Sequence, residues 1–141
     1  MSESYCFIDT AFVVRHLTHD VEPLASIATS LFSAVERGDL IVEMSETVVL
    51  ETTYALTTKY GIDRIHVAPG LAGLIELDGI LLPHKQPILE ALSLWVERRR
   101  LSFADAYHLV LASRSSHRRI ASFDKGMDRC LPSVTRIEEF P

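Results

Sequence analysis

The sequence predicts an α/β fold in which helices cover both faces of a mostly parallel sheet of four to five strands. Short apolar runs of strand length alternate with longer stretches of helical periodicity along the whole chain. Helix punctuation falls between them, with Ser45 and Ser102 where N-caps belong and Gly38 and Gly61 where helices stop. At 141 residues the chain is sized for a single domain over 1–141, with a core that needs no disulfide or metal staple.

Tyr5-Cys6-Phe7-Ile8 is wholly apolar, which predicts a first strand buried on both faces. A helix follows Asp9, with Phe12, Val13 and Leu17 at helical spacing. After the break at 19–23, Leu24, Ile27, Ala28, Leu31, Phe32 and Val35 form the buried stripe of a second helix. Leu40 to Met44 gives the second strand, and Ser45 caps a helix over Glu46 to Lys59. Asp63 opens another helix, which Pro69-Gly70 should kink or split before Leu71. Gly79 to Pro83 reads as the third strand. Pro87 suits the first turn of a helix running to about Arg99. Ser102 caps the helix from Phe103 to Ser115. Arg118 to Phe123 is the fourth strand, and Thr135-Arg136-Ile137 adds a short fifth.

Composition narrows the function. With 48% hydrophobic and 23% charged residues this is an ordinary folded chain. The longest apolar stretch, Leu71 to Leu82, is interrupted by Glu76 and Asp78, so no membrane span is expected. Met1-Ser2-Glu3-Ser4 lacks the basic start of a signal peptide, and Cys6 and Cys130 form neither zinc spacing nor a disulfide framework; a cytoplasmic location is expected. A net charge of −5 argues against holding nucleic acid by bulk electrostatics, but an acidic site loaded with divalent ions presents a different field.

Four acids carry the chemistry. Asp9 and Asp124 each end an apolar strand, Asp105 opens a helix, and Glu51 lies in the first two turns of another. In a parallel sheet, strand C-termini and the following helix N-termini share one edge, where ligands collect. Each acid has a structural reading: Asp9 as a cap, Asp105 as the capping-box partner of Ser102, Asp124 as a turn opener before Gly126, and Glu51 as a solvated helix residue. Glu51 and Asp105 nevertheless sit among apolar neighbours, where a half-buried carboxylate is costly without a partner. Carboxylates gathered at one edge repel unless a hard cation such as Mg²⁺ or Mn²⁺ lies between them, and phosphodiester hydrolysis is a common use of such a site.

These residues also carry a resemblance. Phe7-Ile8-Asp9-Thr10, Val49-Leu50-Glu51-Thr52-Thr53-Tyr54, Leu101-Ser102-Phe103-Ala104-Asp105-Ala106 and Ser122-Phe123-Asp124 resemble, in order and spacing, the four motifs of the PIN domain. Tyr60-Gly61-Ile62-Asp63-Arg64 with Leu71-Ala72-Gly73-Leu74-Ile75 is similar to the VapC-type toxins within that family. The resemblance implies a three-layer α/β/α sandwich. It also implies a Mg²⁺- or Mn²⁺-dependent endoribonuclease, usually a homodimer, neutralised by an antitoxin protein. By position it makes Asp9, Glu51, Asp105 and Asp124 catalytic, with Asp9, Asp105 and Asp124 on the metal and Glu51 positioning the attacking water. Thr10 matches the small hydroxyl residue after the first acid, and Ser122 the one before the last Phe-Asp. Glu46 competes with Glu51 for the second position, although its place just after Ser45 suits a helix-dipole role. Asp128 is a supplementary acid or a surface turn residue.

Among the basic residues, Arg98-Arg99-Arg100, with Arg99 its centre, precedes Asp105 closely enough to meet phosphate, or is a solvated helix end. Arg114, His117, Arg118 and Arg119 lie about 15 Å along the helix and serve its C-terminus. His108 faces the core or the site edge, with the core expected, and Trp95 with Leu89, Leu92 and Val96 lies in the core or a dimer face. Other classes fit less well. A phosphoacceptor receiver needs an acidic pair in its first acid loop, and a haloacid-dehalogenase phosphatase needs Asp-x-Asp where this chain has Asp9-Thr10-Ala11. A PIN-like binding scaffold that does not cleave, and an RNA-processing nuclease without an antitoxin, remain the alternatives.

Overall fold

The computed structural model describes residues 4–141; the polar start Met1-Ser2-Glu3 lies outside the described residues. The elements run β1 (Ser4–Phe7), α1 (Thr10–Thr18), α2 (Leu24–Glu36), β2 (Leu40–Glu43), α3 (Glu46–Tyr54), a π-helical turn (Ala55–Lys59), α4 (Arg64–Ile75), β3 (Ile80–Leu81), α5 (Lys85–Glu97), α6 (Phe103–Arg114), β4 (Arg119–Ala121), a 3₁₀ turn (Lys125–Met127) and β5 (Thr135–Ile137). The α/β class follows directly, and every strand pairing is parallel. The chain groups into two compact units, one running to Lys85 and one from Gln86 to Pro141. The expected strands hydrogen-bond as two sheets, three strands ordered β1-β2-β3 and two ordered β4-β5.

In the first unit, Phe7, Glu43 and Leu81 stand in register across β1, β2 and β3. Val42, Met44 and Ile80 are buried, as are Val13 of α1 and Val49 of α3. The chain enters β3 at Gly79, where a Cβ would come within 2.8 Å of Val35 Cγ1 and 3.0 Å of the Leu40 carbonyl oxygen. Only a glycine lets α2 and β2 approach this closely. Asp63 caps α4 by accepting from the Ile65 N–H at 3.0 Å. Of the expected kink or split at Pro69, the split does not occur: α4 runs through the proline as one helix. Its missing hydrogen bond is offset by the burial of Val67, Ala68, Leu71, Leu74 and Ile75.

Three other expectations are corrected here. Tyr5 and Phe7 of β1 are 55% and 65% exposed, so the strand is not buried on both faces. They share one face by the two-residue period, and their rings meet edge to face at 6.4 Å. A wholly apolar run cannot report which face stays open. On α2 the buried stripe is Ala25, Ala28, Phe32 and Val35, and Leu24 and Ile27 face outward. α1 packs against α2, with His16 meeting Thr29 and Phe32. The third strand contracts to Ile80–Leu81.

In the second unit, Ile88, Leu92 and Trp95 of α5 are buried, with Leu101, Phe103 and Leu109. Trp95 meets Phe103 edge to face at 6.1 Å and is a core residue. His108 is exposed, contrary to expectation. The buried face of α6 is Phe103, Ala106, Tyr107, Leu109 and Val110, and a 100° step per residue carries position 108 to the opposite side. Arg114 serves the end of α6 through its ion pair with Glu90, at 2.6 Å.

Two polar clusters tie α1 to its neighbours. Arg15 and the Tyr60 hydroxyl both donate to Asp20, at 3.2 Å and 2.7 Å. Tyr60, followed by Thr18 and Arg15, holds the Asp20 carboxyl down to about 2. His16 packs on Phe32 with ring centroids 4.8 Å apart, and its Nδ1 lies 2.9 Å from Thr29 Oγ1. Burial, then the neighbouring His19 charge, pushes His16 below its ordinary value of 6.5. The unfolded chain therefore binds this proton more readily than the folded one. Stability from neutral His16 is present above pH 6.5 and is lost as pH falls through the lowered folded value. Urea melts at pH 7.5 and pH 5.5 should show a loss in the acidic arm that is smaller in His16→Gln; equal losses in both chains would contradict this assignment.

Candidate metal and nucleic-acid site

Parallel pairing brings the C-terminal ends of β1, β2 and β3 to one edge of the first unit. Asp9 stands there, two residues past β1, with extended backbone at the N-cap position of α1. Its side chain makes no capping hydrogen bond, and the residue is exposed. Thr10 begins α1, and its hydroxyl donates to Glu51 Oε1 at 2.9 Å. That bond ties the position after the first acid to the second acid, 41 residues along the chain.

Glu51 is exposed, not half-buried as the sequence implied. The buried side of α3 is Val48, Val49, Thr52 and Thr53, and position 51 falls on the far side of that arc. The cost of burying its carboxylate therefore gives no argument for a metal; its bond to Thr10 is what recommends it. Glu46, the competing second acid, is engaged by His84, whose Nδ1 lies 3.0 Å from Glu46 Oε1. His84 holds a left-handed backbone at φ 57° just past β3. Sequence reasoning missed this pair, because 38 residues separate the partners and no spacing rule connects them. It also missed Glu43, at the end of β2, which accepts from the Tyr5 hydroxyl across the sheet.

In the second unit, Ser102 caps α6 by accepting from the Asp105 N–H at 3.1 Å. This is the Ser half of the expected capping box, and it leaves the half-buried Asp105 carboxylate at the third helical position. α6 packs on β4, and the short link at 115–118 reverses the chain between them. The start of α6 and the end of β4, hence Asp105 and Asp124, thus belong to the same end of this unit. Asp124 is exposed and heads the 3₁₀ turn, with Oδ1 accepting from the Gly126 N–H at 2.8 Å. The Ser122 hydroxyl accepts from the Asp124 N–H at 3.0 Å and fixes the turn from behind. A Cβ at Gly126 would lie 2.9 Å from Asp124 Oδ1, so a larger residue there would displace that carboxylate oxygen. Asp128 is a turn residue engaged by Arg136, through Nε at 2.6 Å and Nη2 at 3.3 Å. Arg99 is exposed, like Arg98 and Arg100.

Within neither unit do three His, Cys, Asp or Glu side chains group as metal ligands among the described residues. In each unit taken by itself the donors are of a kind that fits a divalent cation. Asp9 offers two open oxygens, Asp124 one beyond its turn bond, and Asp105 a carboxylate free of the cap, all of them hard donors. No helix among the described residues is long and apolar enough to cross a membrane.

The PIN domain family model matches residues 6–130. The chain belongs to the PIN domain family. PIN domains are in general nucleases that act on nucleic acid and typically use divalent metal ions. No curated protein matches the chain.

The two aspartates that flank apolar strands should differ in what they do for stability. Asp9→Ala forfeits only attraction to the helix dipole, a few tenths of a kcal/mol for an exposed residue. Asp124→Ala also removes the acceptor of the turn and should cost about 1 kcal/mol. Chemical melts in EDTA check the order, and an Asp9→Ala loss equal to or above that of Asp124→Ala would contradict it.

Proposed function

We propose that this PIN domain is a Mg²⁺- or Mn²⁺-dependent endoribonuclease that hydrolyses RNA phosphodiester bonds, and that it serves as the toxin of a toxin–antitoxin pair. The observation that carries the nuclease reading is the bond between Thr10 and Glu51 beside an Asp9 that makes no capping bond. An acid serving only as a helix cap would use its side chain on the helix; Asp9 does not.

In this reading Asp9, Asp105 and Asp124 hold the ion. A bound divalent cation would supply Lewis acidity to the phosphoryl oxygen and lower the pKa of a coordinated water. Glu51 receives the proton of the attacking water. Thr10 occupies Oε1, which leaves Oε2 as the basic oxygen and fixes its direction. As the water oxygen bonds to phosphorus, the bond to the 3′ oxygen breaks. The products are a 3′-hydroxyl and a 5′-phosphate, with the leaving oxygen protonated from solvent. Ser122 holds the backbone of Asp124 so that its second oxygen keeps one orientation.

The antitoxin and the homodimer rest on the VapC-type resemblance. The first unit adds a small apolar groove of about 150 Å³ lined by Ala11, Phe12, Leu24, Ile27 and Ala28, with Arg15 at its rim. Exposed Leu24 and Ile27 suit an amphipathic partner helix. A cytoplasmic site of action accords with an RNA substrate. The non-cleaving scaffold is the second reading, favoured because no three-ligand group forms within either unit among the described residues.

Incubating RNA with the protein in Mn²⁺, Mg²⁺ or EDTA separates these readings. Cleavage should require the metal and fall by at least about a hundredfold in Asp9→Asn and Glu51→Gln. Thr10→Val should retain metal dependence with a loss of about tenfold, since it misorients Glu51 without removing it. Cleavage that persists in EDTA or in Asp9→Asn would sink the mechanism, and no cleavage of any RNA would favour the scaffold.

A further inference from the structure

The second unit contains an open cleft of about 810 Å³ whose charge runs against that of the chain. Its walls carry Arg100, Lys125, Arg129 and Arg136, with Asp128 the acid among them. Arg136 is fully engaged. It holds Asp128 through two nitrogens, Glu138 Oε2 at 2.7 Å and the Ser122 carbonyl oxygen at 2.8 Å. That network neutralises Asp128, whose carboxyl Arg136 holds below the usual carboxylate range. Among the described residues Arg100, Lys125 and Arg129 make no such hydrogen bond, and all three are exposed; Lys125 and Arg129 meet Asp128, already bonded to Arg136, through charge alone. Cations thus outnumber the one acid of this concavity in a protein of net charge −5.

Two features show that this grouping is built. Arg129 adopts a left-handed backbone at φ 61°, a conformation that non-glycine residues take at a cost. Gly126 joins the cleft to Asp124, because the position of its absent Cβ is 2.9 Å from Asp124 Oδ1 and 3.7 Å from Arg100 Cδ. The arginine stem therefore passes beside the turn that presents the Asp124 carboxylate. Leu131, Pro132 and Val134 give the cleft an apolar side able to pack against sugar rings.

We propose that this cleft is an RNA-backbone subsite, in which Arg100, Lys125 and Arg129 bind successive phosphates of a single strand leading to Asp124. The proposal rests on the nuclease reading for its ligand but not for its test. An anionic peptide would meet the same charges. RNA is favoured because the cations line a track that ends at an acid of the proposed hydrolytic site, where a strand must lie extended to be cut. Binding here would be dominated by counterion release and so depend steeply on salt.

The test uses the full chain carrying Asp9→Asn, with Mg²⁺ present, so that cutting does not erode the probe. Binding of a labelled oligouridine is followed by fluorescence anisotropy across a salt series. Lys125→Gln/Arg129→Gln should weaken binding about tenfold at low salt and reduce the slope of log K against log salt by about 1.4, two phosphates at about 0.7 each. Arg100→Gln should reduce the slope by about 0.7. The charge-matched pair Arg118→Gln/Arg119→Gln, outside the cleft, should change the slope by less than half as much. All these positions are exposed, and circular dichroism melts verify that the variants fold. Millimolar inorganic phosphate should compete far more weakly than unlabelled RNA if the site reads a strand. Equal losses from the two pairs, an unchanged slope, stronger competition by oligoglutamate than by RNA, equal competition by free phosphate, or no RNA binding by the parent chain would each overturn the proposal. Metal-dependent cleavage by the wild-type chain is measured separately, so failure of the subsite is distinguishable from failure of the nuclease reading.

Discussion

Parallel strand pairing is the constraint on which the rest of this structure depends. A parallel strand ends where its neighbours end, and the backbone hydrogen bonds stop there together. In the first unit the register Phe7–Glu43–Leu81 fixes that line, and the next residues, Asp9, Ser45-Glu46 and His84, emerge along it. Polar side chains gather at this edge because the ladder no longer satisfies its groups and the following helices begin there. The same logic governs the second unit, where α6 starts with Asp105 and β4 is followed by Asp124.

What happens to each acid at such an edge depends on its partners. Glu46 meets His84, Glu43 meets Tyr5, and Asp128 meets Arg136, so these carboxylates are answered by groups of the protein itself. Asp9 is not, and Asp124 is answered only on one oxygen. Glu51 lies between these cases, held on one oxygen by a neutral hydroxyl that orients it without neutralising it. The acids proposed for catalysis are thus among those the fold leaves with open oxygens, whereas Glu46, Glu43 and Asp128 have ionic or phenolic partners.

Much of the fold was legible in the sequence, because element type is written in local periodicity. Thr135-Arg136-Ile137 forms the fifth strand, and Ser102 and Asp63 cap the helices expected of them. What misled were questions of rotation and face. Tyr5 and Phe7, Ile27, Glu51 and His108 all lie in elements correctly foreseen but point elsewhere, since apolarity of neighbours does not reveal which side a partner element covers. Pro69 shows the other failure: a local rule against proline in helices yields to the burial of five apolar residues around it. In the site, Asp9, Thr10, Asp105, Ser122 and Asp124 were visible as residues at element boundaries. The Glu46–His84 pair and the cleft of Arg100, Lys125 and Arg129 were not, because only folding brings those residues together.

The central claim is that the open carboxylates serve a divalent ion and not merely the ends of strands and helices. Calorimetric titration of Mn²⁺ into the wild-type chain and into Asp9→Asn, Asp105→Asn and Asp124→Asn tests it without any assumption about substrate. The account predicts measurable binding that each of the three substitutions weakens by about tenfold or more, while Asp128→Asn, whose carboxylate belongs to Arg136, binds like wild type. Binding that none of the three alters, or no binding at all, would contradict it and return these acids to the role of caps and turns.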